Sequence, residues 1–152
     1  HTHILKALDE QLKVALRNDT PLCFVMVDID HFKQVNDNHG HPIGDDVIRN
    51  LALFLSQRLR KTDFIGRYGG EEFAIVLPNV SLDDAEKIMN EIRNNFAHLL
   101  HGGLAAISST FSCGIALHQG QSSNELIELA DQAMYLAKRD GRNCVKVCPA
   151  KD

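Results

Sequence analysis

The fold is decided by the stretch LCFVMVDID, which occupies residues 22–30. Its apolar part, 22–29, has β-branched side chains and no helical period, a pattern typical of a strand buried on both faces. The strand ends in two acids, Asp28 and Asp30, which the alternation of side chains places on one face. Because an uncompensated buried carboxylate is costly, the two acids indicate either ion pairing or a bound cation. The alternative is a pair of solvated residues where a strand meets a loop.

Helices and strands are predicted on both sides of this stretch. Residues 31–41 are rich in Gly, His and Asn and indicate a polar loop. The remaining elements are a helix over Leu5 to Ala15, a helix after Pro42 to Leu55, strands at Asp63 to Tyr68 and Glu72 to Pro78, a helix from Ser81 to Gly102-Gly103, a strand at Ile107 to Leu117, a helix from Ser122 to Gly141 and a strand at Cys144 to Cys148. This order predicts an α/β protein of the α+β type, with a central mostly antiparallel or mixed five-stranded sheet flanked by helices.

The composition is that of one ordinary globular domain. The chain has 152 residues, of which 44% are hydrophobic and 24% charged, and these values argue against disordered, collagen-like and disulfide-scaffold proteins. The net charge of −4 disfavours a DNA-binding surface, and the longest apolar run, 22–27, is too short to span a membrane. The four cysteines lack paired CxxC spacing, which favours reduced thiols over zinc ligands and predicts a cytoplasmic location.

The predicted hairpin brings two more acids into consideration. Gly69-Gly70 separates its two strands and is followed by Glu71 and Glu72. If the hairpin pairs with the first strand, at least one of these glutamates approaches Asp28. Two carboxylates and a backbone carbonyl are hard oxygen ligands that suit Mg²⁺, which also takes waters and substrate phosphates.

Polar residues elsewhere suit a nucleotide but have ordinary alternatives. Lys33 can contact a phosphate, while Asn36 and Asp45 can bond to the edge of a base. The alternative for these three is a polar loop and a helix N-terminus. Lys138 and Arg142 lie at the end of the last predicted helix, where cations are often purely structural.

Several short motifs occur together, in one order, between residues 28 and 143. They are Asp28-Ile29-Asp30-His31-Phe32-Lys33, Asn36-Asp37, Gly40-His41, Gly44-Asp45, Arg67-Tyr68-Gly69-Gly70-Glu71-Glu72-Phe73, Phe111 to Ala116, Ala130 to Lys138 and Gly141-Arg142-Asn143. Together they resemble the GGDEF family of diguanylate cyclases, here with the signature loop in its GGEEF form. The resemblance implies a fold like the palm of nucleotidyl cyclases. It also implies a reaction that joins two GTP into cyclic di-GMP and releases two pyrophosphates, in bacterial second-messenger signalling.

The resemblance also implies roles for individual residues. Asp28, the Ile29 carbonyl and Glu71 would hold Mg²⁺ or Mn²⁺ against the triphosphate. Glu71 is the candidate for helping to deprotonate the attacking hydroxyl, with Glu72 in reserve. The substrate-binding set is Phe32, Lys33, Asn36, Asp45, Gly69, Gly70, Lys138 and Arg142.

Two further expectations follow from the resemblance. Arg60 and Asp63 match the family's inhibitory product site, an RxxD motif, which predicts feedback inhibition by cyclic di-GMP; a solvated helix end is the alternative. Each domain of the family binds one GTP, so catalysis implies a homodimer with two-fold symmetry. No contact of this domain with DNA or a membrane is expected.

The start of the chain departs from the family pattern. It begins at His1-Thr2-His3 without the family's upstream motif, which predicts a single catalytic domain over 1–152, truncated at its N-terminus and excised from a larger protein. An upstream sensory or regulatory domain is expected there, and membrane tethering of that protein stays open. The alternatives to a diguanylate cyclase are a catalytically silent receptor for GTP or cyclic di-GMP, a cyclase that uses ATP or makes a mononucleotide product, and a purely structural dimerisation module.

Overall fold

The computed structural model describes residues 1–150, so the last two residues of the predicted domain, 151 and 152, lie outside the described part. Among the described residues, no helix has the length and apolarity needed to cross a bilayer. In chain order, the elements are α1 (Thr2–Asn18), β1 (Leu22–Ile29), α2 (Phe32–His39), α3 (His41–Arg58), β2 (Phe64–Arg67), β3 (Glu72–Pro78), α4 (Leu82–Ala97), β4 (Phe111–Leu117), α5 (Ser123–Arg139) and β5 (Val145–Cys148), with a short 3-10 turn at Gly103–Ala105.

The five strands form one sheet in the order β2-β3-β1-β4-β5. The neighbours β2·β3, β3·β1 and β1·β4 are antiparallel, and β4·β5 is parallel. The predicted mixed five-stranded sheet is therefore confirmed. The central place of β1 accounts for its composition, because all eight of its residues are buried between two neighbouring strands and two layers of helices.

Helices cover both faces of this sheet. Val25 faces the cluster that contains Leu51 of α3, and the same cluster takes the apolar side of α4. Phe24 faces the opposite cluster with Leu8 of α1 and Met134 of α5. Side chains alternate along β1, so the even-numbered Asp28 lies on the side of the sheet that α5 covers.

The expectation of a polar loop over residues 31–41 is wrong. Residues 32–39 form α2, which follows His31 in the left-handed region at φ 54°. Phe32 and Val35 pack against the core under α3, and this contact outweighs a composition that is poor in strong helix formers. Gly40, at φ 89°, then separates α2 from α3, a conformation that glycine adopts without steric cost.

Two other boundaries also differ from the prediction. Helix α4 ends at Ala97, before the predicted stop at residues 102–103. Strand β4 begins at Phe111 rather than at Ile107, because Ile107 instead forms an isolated antiparallel bridge with His101. The intervening segment thus folds onto itself and onto α3 instead of extending either element.

Candidate functional site

Two carboxylates meet where β1 ends and β3 begins. Asp28 is the register partner of Glu72 in the antiparallel β1·β3 pair, and Glu71 directly precedes Glu72. The sequence-based expectation that the hairpin brings a glutamate to Asp28 is confirmed. Around these residues lies a depression of about 250 Å³, here called the acidic depression, which is lined by Asp28, Glu71, Glu72, Asp131, Met134, Tyr135 and Lys138.

Asp28 is 6% exposed and is held by α5. Its Oδ2 accepts a hydrogen bond from Lys138 Nζ in an ion pair. Its Oδ1 is buried without a protein partner. Desolvation of a carboxylate is costly, so the solvated-residue alternative is wrong for Asp28, and its unpartnered buried oxygen calls for a physical explanation.

The two glutamates of the loop have raised pKa values. Partial burial and the charge of Asp28 raise the pKa of Glu71 to about 7. Partial burial and the charges of Asp28 and Asp131 raise the pKa of Glu72 as well. Lys138 opposes both shifts but does not cancel them. The single positive charge of Lys138 therefore does not balance the negative charges of the acidic depression.

The two glycines of the loop do not use left-handed backbone, since neither has a positive φ. A Cβ at Gly69 would lie 2.7 Å from Glu72 Oε1, whereas a Cβ at Gly70 would meet nothing within 4 Å. Arg67 Nη2 donates a hydrogen bond to the Gly70 carbonyl and ties the loop to the end of β2. The loop surface at Gly70 is thus unobstructed.

A second depression of about 180 Å³, here called the basic depression, adjoins the first. Glu71 and Lys138 line both. The second adds the cations Lys33, from the first turn of α2, and Arg142, from the turn after α5. Its other lining residues are Ile29, Asp30, His31 and Phe32. Acidic and basic groups predicted from distant parts of the chain therefore face one continuous surface.

The proposed base-reading residues lie on α2 and α3, beyond the lining of these two depressions. Asn36 Oδ1 is buried without a hydrogen-bond partner. A Cβ at Gly44 would lie only 1.9 Å from that oxygen, so glycine is needed there to leave room for the amide. Asp45 follows on α3 and is exposed.

Arg60 and Asp63 are joined to each other. Arg60 Nη2 donates to Asp63 Oδ1 at 2.7 Å and to the Pro78 carbonyl at 2.7 Å, and Arg60 Nε donates to Asp63 Oδ2 at 3.2 Å. The Asp63 side chain is 2% exposed, and the Arg60 side chain is 48% exposed. Asp63 therefore orients the guanidinium, and its own oxygens are already occupied. Arg60 borders two depressions of about 440 and 450 Å³.

Three lining residues of α5 received no role from the sequence: Asp131, Met134 and Tyr135. They recur at helical spacing with Lys138, which places all four on one face of α5. That spacing is the signal that would have identified them. Asp30 is 4% exposed, and its carboxylate accepts hydrogen bonds from Thr110 and Ser112, which gives it a structural role.

The donor set suits a hard divalent cation. Four carboxylates, those of Asp28, Glu71, Glu72 and Asp131, surround a single ammonium group in the acidic depression, and the unpartnered Asp28 Oδ1 is a free oxygen donor. Within residues 1–150, no three His, Cys, Asp or Glu side chains are grouped closely enough to hold a metal by themselves. A cation at Asp28 and Glu71 would thus need a further donor, and Mg²⁺ commonly takes backbone oxygens, waters and phosphates.

The chain is similar to known proteins over nearly its whole length. The profile of the family described as "Diguanylate cyclase, GGDEF domain" matches residues 1–144. Diguanylate cyclase DgcP of Pseudomonas aeruginosa is 39% identical over 142 residues, which cover 92% of this chain and 21% of that protein. Response regulator PleD of Caulobacter vibrioides is 37% identical over 143 residues, covering 91% of this chain and 32% of that protein. The chain thus spans about a fifth to a third of these relatives.

Solved structures share the fold. The active GGEEF domain of a diguanylate cyclase from Vibrio cholerae superposes with a TM-score of 0.92 at 32% identity, covering 97% of this chain and 95% of that one. The GGDEF domain of DgcB from Caulobacter crescentus, solved in complex with c-di-GMP, superposes with a TM-score of 0.91 at 34% identity, covering 95% and 88%. By sequence profile, relatives and fold, this chain belongs to the GGDEF-domain family of diguanylate cyclases.

Proposed function

We propose that this domain is a diguanylate cyclase that condenses two GTP into cyclic di-GMP and releases two pyrophosphates. The observation that carries the proposal is the junction of the acidic and basic depressions, which share Glu71 and Lys138. An acidic set that suits a cation beside a basic set that suits phosphates is what a metal-assisted nucleotidyl transfer requires. Relatives named diguanylate cyclase support the same assignment.

The substrate is positioned by the basic depression and by α2 and α3. Lys33, Lys138 and Arg142 surround the triphosphate and neutralise part of its charge. Phe32 lines the same depression, and Gly69 and Gly70, which precede the lining residue Glu71, leave the approach of the nucleotide free of side chains. Asn36 and Asp45 read the guanine, since a carboxylate accepts from both N1–H and N2–H of that base. Adenine lacks these donors, which disfavours the ATP-cyclase alternative.

Asp28, the Ile29 carbonyl and Glu71 would hold Mg²⁺ or Mn²⁺. When bound, such an ion neutralises charge on the phosphates and makes a nearby hydroxyl more acidic. Lys138 keeps the buried carboxylate of Asp28 paired, so that its oxygens stay in place.

In each condensation step, the 3′-hydroxyl oxygen of one GTP attacks the α-phosphorus of the other. The bond from that phosphorus to the oxygen bridging to the β-phosphate breaks, and pyrophosphate leaves with the electron pair. The hydroxyl proton passes to Glu71, with Glu72 as the alternative acceptor. Both carboxylates line the acidic depression beside Asp28, which places a proton acceptor next to the proposed cation site. A second, identical step closes the ring.

Two domains must face each other for this chemistry. One site holds one GTP, so the attacking hydroxyl comes from a nucleotide on a second copy, related by a two-fold axis. Holding both nucleotides in reacting geometry contributes a large share of the rate. The active species is therefore a homodimer.

The test is a rate measurement with purified domain, Mg²⁺ and GTP over a wide range of protein concentration. We expect cyclic di-GMP formation to rise more steeply than the first power of protein concentration. We expect at least a hundredfold loss in Glu71→Gln, the size typical of losing an acid-base group. Glu128→Gln, an exposed glutamate of α5 outside the depressions, serves as the matched control. GTP binding without product at the highest concentration would instead indicate a silent receptor, and undetectable nucleotide binding would indicate a structural module.

We also propose that Arg60 and Asp63 form an inhibitory site for cyclic di-GMP. The guanidinium is half exposed, is oriented by Asp63, and borders two depressions. A guanidinium has two parallel N–H groups that can bind a phosphate or the acceptor edge of guanine. The similar DgcB domain was solved in complex with c-di-GMP, which supports a product-binding surface in this family.

A further inference from the structure

The turn between α5 and β5 has an unusual backbone. Arg142 has φ 64° and the next residue, Asn143, has φ 46°. Two consecutive non-glycine residues in the left-handed region are sterically disfavoured. Such a conformation persists only where neighbouring groups hold it.

The first neighbour is Asp30. Its Oδ2 accepts from the Asn143 backbone N–H at 3.0 Å and from Thr110 Oγ1 at 2.7 Å, and its Oδ1 accepts from Ser112 Oγ at 2.6 Å. The side chain thus joins the end of β1 to the start of β4 and to the strained turn. Because Asp30 is 4% exposed, these bonds are shielded from water.

The second neighbour is Arg93 of α4. Its Nη1 donates to Asn143 Oδ1 at 2.9 Å and to the Asn143 carbonyl at 3.3 Å. Its Nε donates to Asn90 Oδ1 at 3.1 Å, which fixes the guanidinium on α4. Asn143 is therefore held on its N–H by Asp30 and on both of its oxygens by Arg93.

We propose that Asp30 and Arg93 are positioning residues for Arg142. By holding Asn143, they set the backbone direction from which the Arg142 side chain reaches the basic depression beside Lys33 and Lys138. This inference rests on the proposed function, because it takes that depression as the place of the triphosphate. A long side chain binds a phosphate more tightly when its backbone is fixed beforehand, since less freedom is lost on binding.

The experiment measures dissociation constants, in Mg²⁺, for two ligands: GMP and an α,β-methylene analogue of GTP that cannot be turned over. We expect Arg93→Ala to weaken the triphosphate analogue about tenfold, the size of one hydrogen bond to a charged group. GMP, which lacks the outer phosphates, should bind as before. The double variant Arg93→Ala with Arg142→Ala should be no weaker than Arg142→Ala alone, because Arg93 acts through Arg142.

Two further variants test the positioning role and control for the loss of a positive charge. Because Asp30→Asn also removes a negative charge from the lining of the basic depression, it should show a smaller selective loss than Arg93→Ala, which is the variant that decides. Arg139→Ala removes an equal charge at the neighbouring end of α5, where its side chain is exposed. It should leave unchanged the ratio of the GMP dissociation constant to that of the triphosphate analogue.

The outcomes separate two failures. If Arg142→Ala leaves the ratio unchanged, the proposed contact of Arg142 with the triphosphate is wrong and the positioning inference falls with it. If Arg142→Ala lowers the ratio but Arg93→Ala does not, or if Arg93→Ala weakens GMP equally, the positioning inference alone is wrong.

Discussion

At the residue scale, the lack of a Cβ at Gly44 makes room for the side chain of Asn36. Its amide oxygen is buried and unpartnered, and it sits where a side chain at Gly44 would otherwise be. An unmade hydrogen bond of this kind is costly and is expected where a ligand completes it. Asn36 and Gly44 thus act together, although they belong to different helices.

The corresponding prediction is that Gly44→Ala weakens GTP binding about tenfold, because the new Cβ would lie 1.9 Å from Asn36 Oδ1 and force the amide away from the base. Calorimetric titration with the non-reacting GTP analogue measures the effect. Combining Gly44→Ala with Asn36→Ala should be no worse than Asn36→Ala alone. Unchanged affinity in Gly44→Ala would contradict a role of Asn36 in reading guanine.

At the element scale, the site depends on how closely α5 lies on β4. Gly114 is buried in the middle of β4, and a Cβ there would lie 2.2 Å from the Ala130 carbonyl oxygen and 2.3 Å from the Met134 nitrogen. These are backbone atoms and cannot rotate away. The absence of a side chain therefore sets the distance from the sheet to the helix that carries Lys138.

We predict that Gly114→Ala destabilises the domain by about 3 kcal/mol, the upper end of overpacking effects, and also weakens triphosphate binding as α5 moves outward. Urea unfolding and analogue titration measure the two effects. Gly66→Ala is the milder control, since its new Cβ would meet only the Ile4 side chain, at 3.1 Å. Equal stability of the two variants would show that α5 can shift without cost.

The segment between α4 and β4 is anchored by one buried histidine. His101 is 1% exposed, accepts a hydrogen bond from Asn50 Nδ2 at its Nδ1 (2.9 Å) and packs on Phe96 at 5.1 Å. Burial lowers the pKa of His101 below its ordinary 6.5, although the charge of Asp46 opposes this shift. The folded state thus holds the ring neutral at pH values where the unfolded chain protonates it.

The expected consequence is a loss of stability in acid. The contribution of His101 is complete above pH 6.5 and is lost as the pH falls through the lowered pKa, since the unfolded state then binds more protons. Urea unfolding gives the free energy of unfolding at pH 7.5 and at pH 5.5. The difference between these two free energies should be smaller in His101→Phe than in the parent chain. An equal difference in both would mean that other groups cause the acid sensitivity.

At the scale of the whole molecule, the proposed substrate and product sites lie at opposite ends of β3. Glu72 begins this strand, and Pro78, whose carbonyl accepts from Arg60, ends it. Seven residues of extended chain span on the order of 20 Å. A product bound at Arg60 therefore does not occupy the substrate site of its own domain.

It follows that added cyclic di-GMP should lower the maximal rate without raising the apparent KM for GTP. Arg60→Ala should remove this inhibition, measured for each variant against its own rate without added product, while Arg49→Ala, an exposed arginine of α3, should keep it. Inhibition that GTP overcomes by competition would contradict the separate site.

Local patterns along the sequence were sufficient for most of the fold. The apolar run of β1 predicted a strand covered on both faces, because only a central strand leaves no polar side to water. The glycine pair before Glu71 predicted the hairpin, and β1 pairing with that hairpin predicted the approach of a glutamate to Asp28. These inferences succeed because strand burial and turn formation depend on residues that are close together in the sequence, where their pattern can be recognised.

Other features were decided only by tertiary structure. Helix α2 exists because Phe32 and Val35 find the core, and composition alone does not reveal that contact. The pairing of Lys138 with Asp28 joins residues 110 positions apart, and the bond from Asp30 to Asn143 joins residues 113 apart. The sequence by itself determined which groups carry charge and which segments are buried. Their partners were decided by the fold, because a contact between distant residues leaves no pattern in either neighbourhood.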